Sequence, residues 1–488
     1  MRNGSRQHEP AALGRVIANA IAQALARGAA LAMMIAFGPL AHAQLPRVQL
    51  PTVPGVGLPT TVTDTAGRVG NTVGNVVGQV DRLADARRLR VDELLRTQRA
   101  GVERDPSGQP ILRAEVVSFD PAEDALDRAR AAGFQVLRER VLDGLDSRVV
   151  VLRAPDGMTT RRALARLRAL DPQGAYDYNH IYLESGEVGG TAGVRAARRT
   201  SADRSSAVAI RLAAASEAGT AAGDGANAFK VGLVDGGVDI THPVFKGKLI
   251  HQYGCEGKPV PSAHGTAVAS LLVGKSDPFS GAAPGAELFA ADVYCGLGTG
   301  GAADAVVDAI AWIARQHVAV INVSLVGPSN VLLENVVRLV IARGHVIVAA
   351  VGNDGPAAPP LYPASYPNVV GVTAVDAHRK VLIEACRGKQ VAFAAPGADM
   401  AAADFSPTFA AVRGTSFAAP IVAGLLAATL HEPDREAATK AIATLASQAI
   451  DLGPHGVDKI YGAGLVGDAV RTQAALALVS ASGASRRN

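Results

Sequence analysis

The sequence predicts an α/β protein in which a mostly parallel sheet, covered by helices on both faces, follows a small α+β domain. After residue 229, short apolar strands alternate with helical runs, as in sheets that are buried on both faces. Between residues 111 and 183 the predicted order is instead strand, helix, strand, strand, helix, strand. Hydrophobic residues make up 48% of the chain and aromatic residues only 4%, so small side chains must fill a closely packed core.

Each element follows from a local pattern. In the first region, stretches rich in β-branched and other apolar residues predict strands over 111–119, 134–142, 148–153 and 176–183. Apolar residues at helical spacing predict helices over 122–132 and 159–170. This order is the split ferredoxin-like motif. In the second region we predict strands over 230–234, 288–293, 319–323 and 346–350, with helices over 302–316 and 330–343. We find no repeat of the solenoid type.

Composition divides the chain into six segments. Pro, Gly, Thr and Val dominate the first linker, which also contains a charged helix that we expect to be solvated. Gly, Ala, Ser and Thr dominate the second linker, which we expect to be exposed to nicking. The segments are a signal peptide (1–43), a linker with a charged helix (44–110), a small domain (111–185), a flexible linker (186–228), a large domain (229–477) and a disordered tail (478–488).

The first 43 residues have the pattern of an export signal. Three arginines within the first fifteen residues precede an apolar stretch over 28–40, and small residues follow at Ala41 and Ala43. The apolar stretch is shorter than the roughly 20 residues of a spanning helix. We therefore expect an exported protein, periplasmic or extracellular, without a stable membrane span. A retained membrane anchor is the alternative.

The charge of the chain gives no sign of a nucleic-acid partner. The net charge is +4, and arginines between residues 87 and 168 account for much of it. No aromatic residues interleave with them and no nucleic-acid module is present, so we interpret them as solvated helical faces.

The three cysteines are Cys255, Cys295 and Cys386. Export permits a disulfide, and Cys255 with Cys295 is the pair we expect first. Three free thiols are the alternative. An odd number leaves at least one cysteine unpaired within the chain.

Three polar residues in the large domain lie where chemistry is expected. Asp235 ends an apolar strand, at the edge of the sheet where ligands bind in α/β proteins. His264 stands just ahead of a helical run of small residues. Ser416 lies at a helix start, because Pro420 is tolerated only near the beginning of a helix, and the free amides there point at whatever the serine attacks. Taken alone, Asp235 also fits a turn, His264 a structural histidine and Ser416 a helix cap.

Together the three residues predict nucleophilic catalysis. A serine hydroxyl needs a base to take its proton, a histidine serves near neutral pH, and a carboxylate holds the imidazole in its useful tautomer. The chain order Asp235, His264, Ser416 is that of the subtilisin arrangement. The hydrolase elbow G-x-S-x-G is absent, because Ala418 stands at its second glycine.

Four motifs in this order resemble the subtilase family of subtilisin-like serine peptidases, over about residues 229–477. They are Val-Asp-Gly-Gly-Val-Asp around Asp235, then His264-Gly265-Thr266, Ala350-Val351-Gly352-Asn353, and Gly-Thr-Ser-Phe-Ala-Ala-Pro over 414–420. The resemblance implies a subtilisin-like three-layer fold and polypeptide substrates. It also implies that Asn353 donates its amide to the oxyanion beside the backbone N–H of Ser416.

The resemblance also implies a substrate cleft. Its walls would comprise Ser324, Leu325, Val326 and Gly327 on one side and Ala350 and Gly352 on the other, with Leu361 near the base. An extended peptide would pair with the first wall through main-chain hydrogen bonds. Val326 and Leu361 are larger than usual in the family, so we expect a shallow pocket that prefers small or medium apolar side chains.

Two other positions depart from the family pattern. Gly236 replaces a hydroxyl residue that often supports the catalytic aspartate, so one hydrogen bond is expected to be missing. Val244 stands where a calcium-ligating aspartate is frequent. Although the family often binds calcium, this sequence supports no metal site and no organic cofactor.

The small domain resembles a subtilase propeptide, which implies a folding helper and temporary inhibitor. Its last strand, near residues 176–185, would lie in the cleft as a poor substrate. Parallel sheets fold slowly, which makes a folding helper physically sensible. The cleavage point stays open between the neighbourhood of Ser185 and the dibasic pair Arg198-Arg199. The sequence thus predicts an exported serine endopeptidase made as a precursor, with a catalytically silent binding or chaperone scaffold as the alternative.

Overall fold

The computed structural model describes residues 87–189, 229–296, 300–405 and 407–473. The predicted signal peptide, most of both predicted linkers and the predicted tail lie outside the described residues. Among the described residues, no helix combines the length and apolarity needed to cross a membrane.

The small domain contains one antiparallel sheet with two helices on one face. In chain order its elements are helix α1 (87–97), β1 (Val102–Arg104), β2 (Pro110–Phe119), α2 (Glu123–Ala131), β3 (Gln135–Leu142), β4 (Ser147–Arg153), α3 (Thr160–Leu170) and β5 (Ala175–Glu184). The sheet order is β5-β2-β4-β3, with β1 paired to β2. This is the ferredoxin-like order that the sequence predicts.

Both faces of this sheet are buried, because successive side chains along a strand point to opposite faces and each face packs against other elements. Val116 and Val150 pack with α2 and α3, whereas their neighbours Val117 and Val151 face the large domain. Strands buried on both faces are therefore continuous apolar runs, as in β4, where four consecutive residues are buried.

The small domain begins earlier in the chain than the sequence predicts. Residues 87–104 were expected to belong to a linker with a solvated helix. In the structure Val91 and Leu94 of α1 are buried at 3% and 5% exposure, and β1 joins the sheet. The many arginines of α1 made the whole helix look solvated in the sequence, so its buried apolar side was not recognised.

The large domain is built on a seven-stranded parallel sheet. Its strands are β7 (Lys230–Asp235), β8 (Ile250–Tyr253), β11 (Glu287–Asp292), β13 (Val320–Val323), β15 (Val346–Ala350), β16 (Val370–Val375) and β17 (Val391–Pro396). The sheet order is β17-β16-β15-β13-β7-β11-β8, and every neighbouring pair is parallel.

Helices cover both faces of this sheet. They are α4 (Ala263–Val273), α5 (Ala303–Arg315), α6 (Val331–Ala342), α7 (Thr415–Ala427) and α8 (Arg435–Ser447). Helices α4 and α7 pack in one apolar core and α5 and α6 in the other. The two faces are thus buried, and the structure confirms the predicted three-layer α/β fold.

Short strands complete the large domain. They are β6 (Glu187–Val188), β9 (Lys275–Ser276), β10 (Phe279–Ser280), β12 (Gly301–Ala302), β14 (Leu325–Val326), β18 (Met400–Ala403) and β19 (Phe409–Arg413). Three of them, β12, β14 and β19, lie at the edge of the cleft described below.

The small sheet packs across the outer sides of α5 and α6, where it caps both helix starts. Asn179 accepts a hydrogen bond from the backbone N–H of Asp304 and donates one to its carboxylate. The carboxylate of Asp177 accepts a hydrogen bond from the backbone N–H of Val331 at 3.0 Å. Because the first N–H groups of a helix have no partner within the helix, these contacts tie the two domains together.

A disulfide joins Cys255 to Cys295, so the alternative of three free thiols is wrong. It links the end of β8 to the loop after β11. Cys386 is free and buried, and burial raises the pKa of its thiol to about 12.

Candidate active site

Asp235 is the last residue of β7, in the middle of the parallel sheet, and is fully buried. Its carboxylate accepts a hydrogen bond from the backbone N–H of Gly236 at 2.7 Å. Because residue 236 is glycine, its backbone N–H is the group that it donates to this carboxylate. A Cβ on Gly236 would come within 2.3 Å of Ser262 Oγ, so the bare backbone allows the next loop to approach.

His264 lies in the first turn of α4. The N-cap Ser262 accepts a hydrogen bond from the backbone N–H of Gly265 at 2.8 Å, which fixes the start of the helix. Gly265 touches the end of β7, because a Cβ there would lie 2.2 Å from the carbonyl oxygen of Gly236. Small residues on both elements therefore bring the imidazole next to Asp235.

Ser416 is the second residue of α7. The preceding Gly414 has φ 143°, a conformation that favours glycine and starts the helix abruptly. Pro420 is the sixth residue of the helix, deeper than the sequence predicts, and it cannot donate to the carbonyl of Ser416. Ser324 Oγ donates to that carbonyl instead, at 2.9 Å. The proline is thus tolerated because a neighbouring strand replaces the lost hydrogen bond.

The fold brings the three predicted residues into one hydrogen-bonded row. His264 Nδ1 lies 2.9 Å and 3.0 Å from the two carboxylate oxygens of Asp235. His264 Nε2 lies 2.9 Å from Ser416 Oγ. The three residues are at most 2% exposed. This arrangement can move a proton from the serine hydroxyl to the imidazole while the carboxylate holds the ring.

The surroundings of His264 favour its charged form. Burial lowers the pKa of the imidazole, but the nearby carboxylates of Asp235 and Glu184 outweigh burial and raise the pKa to about 9. Glu184 belongs to the small domain, and burial raises the pKa of its own carboxyl group. Potential ligand atoms of Glu184, Asp235 and His264 lie within 4.8 Å of one another.

A metal at this cluster would compete with the row itself. Among the described residues, these three form the group with the spacing of a metal site. The Nδ1 atom of His264 and the carboxylate of Asp235 already bind each other. Val244 is fully buried and apolar.

The carbonyl oxygen of Ser185 occupies the position expected for an oxyanion. It accepts hydrogen bonds from the backbone N–H of Ser416 at 3.1 Å and from Asn353 Nδ2 at 2.6 Å. The hydroxyl of Ser416 also points at it, at 2.6 Å. The chain of the small domain therefore presents one of its own peptide groups to the serine.

Thr415 orients this pocket, a role that the sequence analysis did not assign. Its backbone N–H donates to Asn353 Oδ1 at 3.2 Å, which turns the amide nitrogen of Asn353 toward Ser185. Its hydroxyl lies 2.9 Å from Ser185 Oγ. Thr415 stands in the same motif as Ser416, and that adjacency was the available signal.

The last strand of the small domain fills the cleft between two edge strands. Strand β5 pairs antiparallel with β14, where Leu183 faces Val326 and Glu184 faces Leu325. On its other side it pairs with β12, a wall that the sequence analysis missed. Beyond Ser185 the chain continues as β6, which pairs antiparallel with β19.

The structure places the predicted pocket residues on or next to β14 and near the end of β15. Ser324, Leu325, Val326 and Gly327 form the β14 wall, and Ala350 and Gly352 lie at the end of β15. Leu361 packs directly against Gly352, because a Cβ on that glycine would lie 2.4 Å from Leu361 Cδ1. Both Val326 and Leu361 are buried. Leu361 therefore fills the space beside Gly352.

Helix α1 lies beside the occupied cleft. Arg87 Nε lies 3.3 Å from the carboxylate of Asp354, the residue after Asn353, and both side chains are 11% exposed. Arg90 approaches the backbone carbonyl of Glu184 at 3.4 Å. A cavity of about 520 Å³ separates α1 from the wall that contains Tyr294.

Comparison with known proteins finds similar sequences and a similar fold. A sequence model described as the subtilase family matches residues 226–464. The chain is 33% identical over 250 residues to subtilisin DY of Bacillus licheniformis, an alignment that covers 50% of this chain and 89% of that protein. It is 35% identical over 211 residues to a thermophilic serine proteinase of Bacillus sp. (strain AK1), covering 42% of this chain. The chain spans 52% of the length of that second relative.

A solved structure has a similar fold. The crystal structure of fervidolysin from Fervidobacterium pennivorans, described as a keratinolytic enzyme related to subtilisin, aligns with a TM-score of 0.58. The alignment covers 78% of this chain and 62% of fervidolysin at 22% identity, which is evidence of a shared fold.

Proposed function

This chain belongs to the subtilase family of serine-type endopeptidases, and we propose that it is an exported enzyme whose own small domain occupies its cleft until that domain is cut off and leaves. Ser416 is the nucleophile, His264 the base, Asp235 the residue that orients the imidazole, and Asn353 the oxyanion donor. The observation that carries this proposal is the peptide carbonyl of Ser185, held by Ser416 and Asn353 at 3.1 Å and 2.6 Å.

The mechanism follows from these contacts. The hydroxyl of Ser416 adds to the carbonyl carbon while His264 Nε2, 2.9 Å away, takes its proton. The charge that develops on the carbonyl oxygen is stabilised by donors that already point at it, so little reorganisation is needed. The imidazolium then gives its proton to the leaving amine, and water releases the acyl group from Ser416.

The small domain acts as a propeptide and inhibitor in this proposal. Its strand β5 pairs with both walls of the cleft, as an extended substrate would. Its sheet also caps the starts of α5 and α6. Substrates from outside can enter only after this strand leaves.

The maturation cut that these contacts support is the Ser185–Gly186 bond. The carbonyl of Ser185 is the one held at Ser416, and the chain runs on past the serine to β6. The alternative site at Arg198-Arg199 lies outside the described residues. Intact-mass analysis of the purified protein would identify the bond, and a new amino terminus at Gly186 is expected.

The same contacts favour small residues before the cut. The side chain of Ser185 is 1% exposed and reaches Thr415, while Leu361 closes the space next to Gly352. Peptides with a large aromatic side chain at this position are expected to be poor substrates. A peptide series in which phenylalanine or tyrosine was cleaved best would contradict this.

Active-site labelling tests the proposed activity. A fluorophosphonate should label Ser416 in the matured protein, and casein should be hydrolysed by the wild type but not by Ser416→Ala. A protein that matures through another peptidase, without labelling or hydrolysis, would instead be a silent scaffold. Export is tested separately by sequencing the amino terminus of material recovered outside the cytoplasm.

A further inference from the structure

Two separate segments supply the donors that hold the carbonyl of Ser185. Asn353 lies in the loop after β15, and the backbone N–H of Ser416 lies at the start of α7. Thr415 joins the two segments, because its backbone N–H donates to Asn353 Oδ1 and its hydroxyl accepts from the backbone N–H of Gly352, each at 3.2 Å. The relative position of the two donors therefore depends on how firmly these segments are held together.

A third segment, which contains Glu384 and Cys386, braces the loop of Asn353. The backbone N–H of Gly355 donates to the carbonyl of Glu384 at 2.8 Å. The backbone N–H of Cys386 donates to the carbonyl of Gly352 at 2.9 Å. These two hydrogen bonds lie on opposite sides of Asn353 in the chain, so the loop is fixed to the third segment both before and after the donor.

The side chain of Glu384 connects this brace to the segment that contains Ser416. Arg413 Nε lies 2.6 Å from one carboxylate oxygen of Glu384, and Arg413 Nη2 donates to the other at 2.9 Å. Arg413 ends β19, and Gly414 follows it as the N-cap of α7. Because a two-point arginine–carboxylate pair fixes direction as well as distance, Glu384 holds the chain just before Ser416.

Solvent weakens this pair less than most surface ion pairs. The side chain of Glu384 is 11% exposed and that of Arg413 is 37% exposed. A carboxylate that is this deeply buried needs a partner, because an unpaired buried charge is costly. All of these contacts lie within the large domain, so they do not depend on the small domain remaining in the cleft.

We propose that Glu384 and Arg413 are positioning residues for the oxyanion site. The backbone of Glu384 is fixed to the loop of Asn353, and its side chain is fixed to the segment of Ser416. The pair thus sets the distance between the two donors and acts on the reacting carbonyl through them. The inference rests on the proposed function and deepens it, since it assigns residues that prepare the same site.

Hydrolysis of a chromogenic peptide by the matured enzyme provides the test. Glu384→Gln keeps the shape of the side chain but removes its charge. It should lower kcat by about 10-fold and leave KM within about twofold, the signature of lost transition-state stabilisation. Asp468→Asn is the matched control, because Asp468 also pairs with an arginine, Arg379, at 2.9 Å, on segments that supply neither donor. Its kcat should equal that of the wild type.

A double-mutant cycle with Asn353 distinguishes positioning from general stabilisation of the fold. Asn353→Ala alone should lower kcat by about 10²- to 10³-fold. Adding Glu384→Gln to that variant should lower kcat by less than about threefold more, because the pair then has no side-chain donor to aim. A pair that only stabilised the fold would instead lower kcat by the same factor in both backgrounds.

Arg413→Ala approaches the same pair from its more exposed partner and covers the case in which Glu384→Gln fails to fold. It should also lower kcat by about 10-fold, and the variant that combines both changes should be no slower than either single variant. Losses that multiply to about 100-fold would show that the two residues act independently, and would overturn the proposal.

The remaining outcomes separate this inference from the proposed function. An unchanged kcat in Glu384→Gln, or a full further 10-fold loss in the Asn353→Ala background, would overturn the positioning role and leave the peptidase assignment intact. Failure of the wild type to hydrolyse the peptide and to react with a fluorophosphonate would remove the proposed function instead.

Discussion

The chain is held very differently on the two sides of the Ser185–Gly186 bond. Upstream, β5 is sandwiched between β12 and β14, and the side chain of Tyr182 is fully buried with its hydroxyl 2.9 Å from the carbonyl of Pro328. Downstream, β6 comprises Glu187 and Val188 and pairs with β19 alone.

This difference shows how one segment can serve as both substrate and inhibitor. If the segments before and after the bond were held equally firmly, both products would stay in place and the bond could re-form. After a cut, the upstream half would still be paired on both sides and joined to the small domain. The downstream half would retain only the pairing of β6 with β19. Inhibition is thus expected to outlast cleavage, until the small domain leaves or is degraded.

The largest effect is expected from removing the nucleophile. Ser416→Ala should lower self-cleavage by about 10⁶-fold, so that the two halves of the segment stay joined. The purified variant should show one mass, with no new terminus at Gly186. A variant that matured at the normal rate while purified to homogeneity would show that another residue or another peptidase makes the cut.

Removing the oxyanion donor should have a smaller effect. Asn353→Ala is expected to slow self-cleavage by about 10²- to 10³-fold, because Asn353 Nδ2 donates to the carbonyl of Ser185 at 2.6 Å. The cut should still occur at the same bond. Unchanged kinetics would mean that the backbone N–H of Ser416 suffices.

Retention of the cleaved small domain should depend on the upstream half alone. Tyr182→Ala removes a buried aromatic ring, which costs about 3–5 kcal/mol, and should speed release of the fragment by at least 100-fold. Val188→Ala, a half-buried residue downstream, should leave release unchanged. The appearance of activity on a chromogenic peptide after self-cleavage measures release. Equal effects of the two variants would contradict the asymmetry.

The smallest expected effect is a shift in the pH dependence of self-cleavage. His264 must be neutral to accept a proton, and its pKa is raised to about 9 with a contribution from Glu184. The rate should therefore rise with pH until about pH 9.

A pair of glutamates on opposite sides of the bond isolates this effect. Glu184→Gln removes a negative charge near His264, so the pKa of the imidazole falls and the profile moves to lower pH. Glu187→Gln makes the same change beyond the bond, opposite Arg413, and should leave the midpoint in place. Identical profiles for both variants and the wild type would show that Glu184 does not affect the base.

The twelve elements that the sequence predicted with bounds agree with the structure to within one residue at each end, whereas β8, β16, β17 and α8 were not predicted. The predicted strand over 346–350 coincides with β15, and the predicted helix over 330–343 contains α6 with Asn330 as its N-cap. Such elements carry their own signals, namely apolar period, cap residue and terminating glycine. Helix α1 was misjudged because arginines surround its buried residues, and only packing distinguishes a covered charged helix from a solvated one.

By itself the sequence determined the fold class and the residues able to form a nucleophilic row, because strand period, motif order and residue chemistry are local properties of the chain. Only the tertiary structure decided which peptide carbonyl meets Ser416 and that Thr415 orients Asn353. The reason is that these relations join residues far apart in the chain, such as Ser185 and Ser416, 231 positions away. Their distance is set by how the small sheet packs on α5 and α6, and no local pattern encodes it.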